Sequence, residues 1–329
     1  ILSAQGIGPD LVVKGGDTAD IDWIHRRTPD ADIYFVRNKS MLDKSVDVLF
    51  RVSGRAPELW HPDTGRTTDQ LVYEQTAQGM SVPLQFNSAG SVFVVFRKSG
   101  DRPHLVSADL ELSVRQVSED EVHVTAMKNG QYQVKLSDER TARCKVSDVP
   151  AEIELTGPWD VSFPPESGGP GAVSLPKLKS WTEHEDQRIR HFSGIARYEK
   201  EFELGPDRFG DNRRLYLDLG RLWCVGEVFL NGQSLGIVWR PPYRVDITEV
   251  AKPGSNKLEI RIANTWANRL VGESGLPEEQ RLCRTNITRS GTPGRSWRDI
   301  PLRESGLLGP VKLVVAVEKQ VRLPVRAAQ

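Results

Sequence analysis

The chain has 329 residues, 38% hydrophobic and 27% charged, with 44 basic residues balancing 44 acidic ones. That length holds two or three domains, and the even charge balance excludes the electrostatic lean of a nucleic-acid or anionic-membrane binder. No apolar run approaches the ~20 residues of a spanning helix. Cys144, Cys224 and Cys283 are odd in number and lack metal-ligand spacing, which leaves buried free thiols rather than a disulfide framework.

Residues 1–20 read as a connector, broken by Gly6, Gly8, Pro9, Gly15 and Gly16. Ile1 to Gly16 has neither the basic start nor the apolar core of a signal peptide, and a start without Met points to a processed or truncated product. Residues 21–107 read as a β-sandwich domain. IDWIHRRTPDAD precedes a strand at Asp32 to Arg37, and Val46, Val48, Phe50 and Val52 alternate with polar or outward positions. Further strands fall at Leu71 to Gln75, Ser81 to Phe86 and Val92 to Phe96, with turns at Pro62-Asp63-Thr64-Gly65 and Ser88-Ala89-Gly90. His25-Arg26-Arg27 is expected in a loop ahead of the first strand. There His25 and Arg26 are candidates to face a neighbouring domain or a substrate, or to build an inter-domain hydrogen-bond network.

Residues 108–155 form a small β connector, in which Glu121 to Ala126 and Gln131 to Leu136 flank Lys128-Asn129-Gly130 as an expected hairpin. Residues 156–319 read as a second sandwich and 320–329 as a tail. Strands are expected at Ile195 to Leu204, around Leu215, Leu217 and Leu219, and at Val311 to Val317. The most informative stretch is 226–268. Val225, Glu227 and Phe229 alternate with Gly226, Val228 and Leu230, and Asn231-Gly232 then supplies the two positive-φ positions of a type I′ turn. Ser234 to Trp239 runs back to Pro241-Pro242, and after Lys252-Pro253-Gly254-Ser255-Asn256 a further strand places Leu258, Ile260 and Ile262 on one face.

This unit presents Trp239, Arg240, Tyr243, Asn264, Trp266 and Arg269 as candidate carbohydrate-binding residues. Flat rings stack on the apolar C–H faces of sugars while Asn and Arg hydrogen-bond the hydroxyls. The alternative is that Trp239 and Trp266 are core residues. Residues 270–306 make a long excursion carrying Arg281, Arg284, Arg289, Arg295, Arg298 and Arg303, suited to a lid, a salted rim or contact with a uronate carboxylate.

Cleavage chemistry finds no footing in the residues. Glycoside hydrolysis needs two carboxyl groups about 5–10 Å apart, one with a raised pKa, and Glu183, Glu185 and Asp186 sit in a polar loop instead. His184 and His191 lack a third zinc ligand, and Ser290-Gly291 and Ser305-Gly306 lack the setting of a nucleophile elbow. The sequons Asn38-Lys39-Ser40 and Asn286-Ile287-Thr288 carry no weight outside a eukaryotic secretory protein.

FSGIARYEKEFEL, LYLDLG, LNGQSLG, PPYRVDIT and NKLEIRIANTWANRL, in this order, resemble the galactose-binding-like jelly-roll domain of family 2 glycoside hydrolases. DWIHRRTPDADIYFV, GRAPELWHPDTG and NTWANRLVGE are together similar to the C-terminal part of glycoside hydrolase family 106, the α-L-rhamnosidase type. The resemblance implies an all-β chain of two β-sandwich domains, the second a galactose-binding-like jelly roll, with a small β-hairpin piece between them. It implies a bacterial parent whose catalytic (β/α)₈ barrel lies N-terminal to this region and packs against it as a partner. The family's catalytic carboxylates have no matching positions here. Expected partners are that barrel and a plant or microbial polysaccharide containing rhamnose, with neither nucleic acid nor membrane. A free-standing carbohydrate-binding module and a structural protein-interaction β module are the alternatives. No cofactor is expected; a structural calcium ion is compatible with a jelly roll, although no Asp-rich loop compels it.

Overall fold

The structure is a computed structural model, and it describes residues 8–15, 18–100, 104–108, 112–118, 120–283, 285 and 296–324. Arg284, Arg289, Arg295, the sequon Asn286-Ile287-Thr288 and Ser290-Gly291 lie outside the described residues, as do residues 1–7 and 325–329. The chain is nearly all β and divides into two units, residues 1–149 with 317–329, and residues 150–316.

In the first unit, alternation sets the pleat. On Lys44–Phe50, Val46, Val48 and Phe50 are buried while Ser45 and Asp47 are exposed. One sheet runs Leu11–Lys14, Lys44–Phe50, Gly79–Phe86, Glu74–Thr76. The other runs Ile21–Arg27, Asp32–Asn38, Ser91–Ser99, Arg55–Trp60, Thr67–Asp69, and every paired neighbour is antiparallel. Tyr34, Phe50 and Phe96 meet between the sheets, with centroids 4.8 Å (Tyr34–Phe50) and 5.2 Å (Phe50–Phe96) apart. Burying side chains of this size stabilises the sandwich by roughly 1.5–3 kcal/mol each.

Several details differ from the sequence reading, among them the last strand, expected at Val311 to Val317, which is Lys312–Arg322 and runs into residues 320–322, read as tail. Ile21–Arg27 is a strand rather than a loop, paired with Asp32–Asn38 so that His25 stands opposite Tyr34. Its period of two is masked because the positions opposite buried residues hold Trp23, His25 and Arg27, two of which pair with carboxylates instead of entering the core. Leu11–Lys14, read as connector, pairs with Lys44–Phe50 as an edge strand. The expected hairpin across Lys128-Asn129-Gly130 does not form. Glu121–Ala126 pairs with Leu112–Ser118 and with residues 317–322, whereas Gly130–Leu136 pairs with Leu105–Ala108 and Thr141–Val146. Asn129 and Gly130 do not take the positive φ values of a type I′ turn, and the Asn129 side chain instead clasps the backbone of Val149, accepting at 2.9 Å and donating at 3.2 Å. The hairpins of this connector therefore close elsewhere in the same stretch.

The second unit is the jelly-roll sandwich. Its six-stranded sheet runs Gly171–Leu175, Trp159–Phe163, Ile195–Leu204, Gly254–Ala263, Val225–Leu230, Gln233–Val238. Leu258, Ile260 and Ile262 are buried, while Glu259, Arg261 and Ala263 face outward. Asn231 (φ 52°) and Gly232 (φ 83°) make the tight turn that joins Val225–Leu230 to Gln233–Val238. Opposite this sheet pack Arg213–Asp218 and Arg244–Asp246, whose buried Leu215, Leu217 and Val245 join the same core as Trp159, Phe163 and Tyr198. The polar stretch 177–193, which shows no period, is a 3₁₀ turn and one turn of helix that bury Trp181, Ile189 and Phe192. The excursion 270–306 holds the end of the helix Ala267–Glu273 and two 3₁₀ turns among its described residues. No helix among the described residues is long and apolar enough to cross a membrane.

Candidate functional site

The six-stranded sheet brings several strand ends to one edge of the jelly roll. Ile195 starts its strand opposite Ala263, which ends its own, and Ala263 stands opposite Val225, which starts the next. Val238, opposite Gly226, ends the fourth. The segments that leave these ends, around residues 192–194, 219–224, 239–243 and 264–266, form a common rim.

Trp239 is 56% exposed and Trp266 is 52% exposed, so neither indole is a core residue. Both rings stand in water where the strands of this sheet end. Tyr243 is half buried and packs on the core, and burial pushes its phenol above the ordinary range. Arg240 is half buried and donates to its neighbour's carbonyl, Pro241 O, at 3.2 Å. Trp223, 39% exposed at the end of Arg221–Trp223, belongs to the same rim and is missing from the sequence candidates. Its signal is faint because it sits in a three-residue strand with no alternation to set its face. Beside it Cys224 is half buried, its thiol pushed up by burial, and Arg221 pairs with Glu304 at 2.6 Å.

The other two candidates serve the framework. Asn264 donates to Phe192 O at 2.9 Å and to Ser305 Oγ at 3.1 Å, and accepts from Gly194 N at 3.1 Å. Ser305 Oγ also accepts from the buried Asn268 at 2.9 Å, and Asn268 grips both backbone groups of Arg303. This polar bracket fixes the helix Ala267–Glu273 and so holds Trp266 at its start. Arg269, on that helix, donates to Ser167 O at 2.6 Å, and burial depresses its pKa.

In the first unit, His25 lies between two carboxylates, Nδ1 at 2.7 Å from Asp10 and Nε2 at 3.1 Å from Asp32, and stacks on Tyr34 at 4.0 Å. Arg51 also binds Asp10, and Arg27 and Arg55 flank Asp32. Arg26 is exposed on the strand.

Buried acids are paired with cations. Glu58 meets Arg97 at 2.6 Å and Lys98 at 2.8 Å, and Glu273 stands 3.6 Å from Arg269. Burial would raise the Glu58 carboxyl, but these hydrogen bonds outweigh it and hold it below its ordinary range. Asp186 is likewise held low by Arg188. Among the described residues, no three His, Cys, Asp or Glu side chains are grouped to hold a metal ion.

Residues 1–75 match the family model of α-L-rhamnosidases, and residues 182–299 match the galactose-binding-domain-like model of family 2 glycosyl hydrolases. The rhamnosidase of Novosphingobium sp. PP1Y is similar in structure, with a TM-score of 0.68 at 33% identity over 95% of this chain and 26% of that one. A protein of Formosa agariphila bearing a β-glucuronidase name is 24% identical across 97% of this chain and 45% of its own length. The β-glucuronidase of Ruminococcus gnavus covers 53% of this chain at 26% identity with a TM-score of 0.36. The chain thus resembles glycoside hydrolases of the rhamnosidase type and carries a galactose-binding-like domain, while spanning about a quarter of the rhamnosidase and less than half of the curated relative.

Proposed function

We propose that this chain is the C-terminal, non-catalytic β region of an α-L-rhamnosidase-like glycoside hydrolase. The aromatic rim of its jelly roll grips the glycan, and a catalytic barrel elsewhere in the parent protein cleaves it. The observation that carries this reading is the gathering of exposed Trp223, Trp239 and Trp266 at one end of a domain of the galactose-binding type. Indole faces bind sugar rings through the same apolar contact that would otherwise make them core residues, and the neighbouring Arg and Tyr supply hydrogen-bond groups.

Calorimetry and an aryl α-L-rhamnoside assay on the purified chain test this together. Heat of binding with rhamnose-containing glycans and no turnover is the expected result. Turnover that disappears on a single carboxylate substitution would overturn the non-catalytic reading, and no binding to any glycan would overturn the recognition role.

A further inference from the structure

The rim does not end at its loops. Ile195, Ala263 and Val225 are register partners on three neighbouring strands, and Trp239, one residue past the Gly226–Val238 pair, comes level with Val225 on the fourth. All four lie on the outer face of the sheet, because the residues alternating with them, Ala196, Ile262, Gly226 and Val238, are buried. The ends of this row are large and wet, with Ile195 at 55% and Trp239 at 56% exposure, and Ile237 beside Trp239 is 63% exposed. Its middle, Ala263 and Val225, is small and half buried. Four strands at 4.7–4.9 Å spacing make the row roughly 14 Å long.

The next row along the strands is Arg197, Arg261, Glu227 and Ile237, register partners in the same order. Its first three members are charged and paired, with Arg261 Nη1 3.5 Å from Glu227 and Arg197 Nη2 3.5 Å from Glu199. An apolar strip about one residue wide, walled at both ends and bordered by hydrogen-bonding side chains, is a poor seat for a protein, which needs a broad dry patch of several hundred Å². It fits a linear ligand with one apolar face and polar edges. We infer that the rim site continues across this face as a trough for an extended oligosaccharide, several sugar rings long, lying across the strands from Trp239 to Ile195. The inference rests on the carbohydrate reading of the rim and adds the length and path of the ligand. All of these residues fall within the galactose-binding-like match over 182–299.

Calorimetry of the chain against L-rhamnose and against neutral and uronate-containing oligosaccharides of increasing length tests it. The expected result is a gain in affinity of about tenfold or more from monosaccharide to the longest chain. Ile195→Thr with Ile237→Thr should abolish that gain and leave monosaccharide binding intact. Threonine keeps the β-branched shape that the strands favour, so the variant retains its fold, and an unchanged melting temperature checks this. Equal affinity for one sugar and many, or a length gain indifferent to the double substitution, overturns the trough while leaving rim recognition standing. Binding to no saccharide overturns both. A double variant whose only effect is to dissociate a self-associated wild-type chain makes the face a protein interface and overturns the trough.

Discussion

Asn264 and Ser305 meet at 3.1 Å, amide to hydroxyl, and that contact is the hinge pin of the rim. Through it the end of Gly254–Ala263, the helix Ala267–Glu273 and the segment 303–305 share one network. Asn264→Ala leaves Gly194 N without its acceptor and Phe192 O without its donor, and takes from Ser305 Oγ one of its two amide donors, Asn268 remaining. It is expected to destabilise the second unit by about 2–4 kcal/mol, because buried partners left unpaired cost about 1–3 kcal/mol each and some gain water. A lowered melting temperature measured by circular dichroism checks this. A variant as stable as wild type that has lost glycan binding would move Asn264 from the framework to the ligand.

Trp239 makes the opposite prediction. Exposed beyond the end of its strand, it contributes little to folding, and Trp239→Ala should shift stability by no more than about 0.5 kcal/mol. Its loss should weaken glycan binding by about 1–3 kcal/mol, enough to erase a weak interaction in calorimetry. The pair of substitutions separates presenting a site from being one.

Part of the fold around these residues is legible in the sequence, for a physical reason. Asn231-Gly232 folds as its turn chemistry demands because the strands it joins are adjacent in one sheet, and Asn231 is further locked by Lys257 N at 3.0 Å. Asn129-Gly130 carries the same dipeptide and makes no hairpin, since tertiary pairing sends its flanking strands to different partners. Local turn preference is worth less than a full ladder of backbone hydrogen bonds. The sequence places Trp239 and Trp266 at an edge, but whether an indole faces core or water depends on neighbours that a single strand's pattern does not reveal. Asn264 and Arg269 resemble ligand groups for the same reason: the groups they donate hydrogen bonds to, Phe192, Ser305 and Ser167, lie 41 or more residues away in sequence. His25 hides its strand's period because an inward position can be filled by an ion pair as well as by an apolar group.

Tyr198 supports the rim from inside. Its hydroxyl accepts from Trp181 Nε1 at 2.5 Å and from Leu307 N at 3.2 Å, and burial pushes its pKa up to about 12. Tyr198→Phe keeps the ring and strands two buried donors, so it should cost about 2–5 kcal/mol. Tyr198→Phe combined with Trp181→Phe removes one donor with its acceptor, so although Trp181→Phe also opens a cavity in the core, the double variant should lose less than the sum of the two single substitutions. Urea midpoints of the two single variants and the double variant measure the difference, and a double variant that loses as much as the sum of its parts, or more, would refute the pairing.

The first unit should fail in acid. Burial tends to raise the Asp10 carboxyl, but hydrogen bonds from His25 and Arg51 outweigh it and hold it below its ordinary value, as Arg97 and Lys98 do for Glu58. A carboxyl whose pKa is depressed on folding contributes stability above its unfolded value of about 4, and that contribution is lost as pH falls through the lower folded value. Unfolding midpoints followed from about pH 7 to about pH 2.5 should therefore drop on the acid side. Asp10→Asn and Glu58→Gln should each lower stability at neutral pH and flatten the acid limb, so that variant and wild type converge at the lowest pH. His25→Phe, which removes one partner of Asp10 and leaves Arg51, should flatten it less than Asp10→Asn. An acid limb in either carboxylate variant as steep as that of wild type would place the acid-sensitive groups elsewhere in the chain.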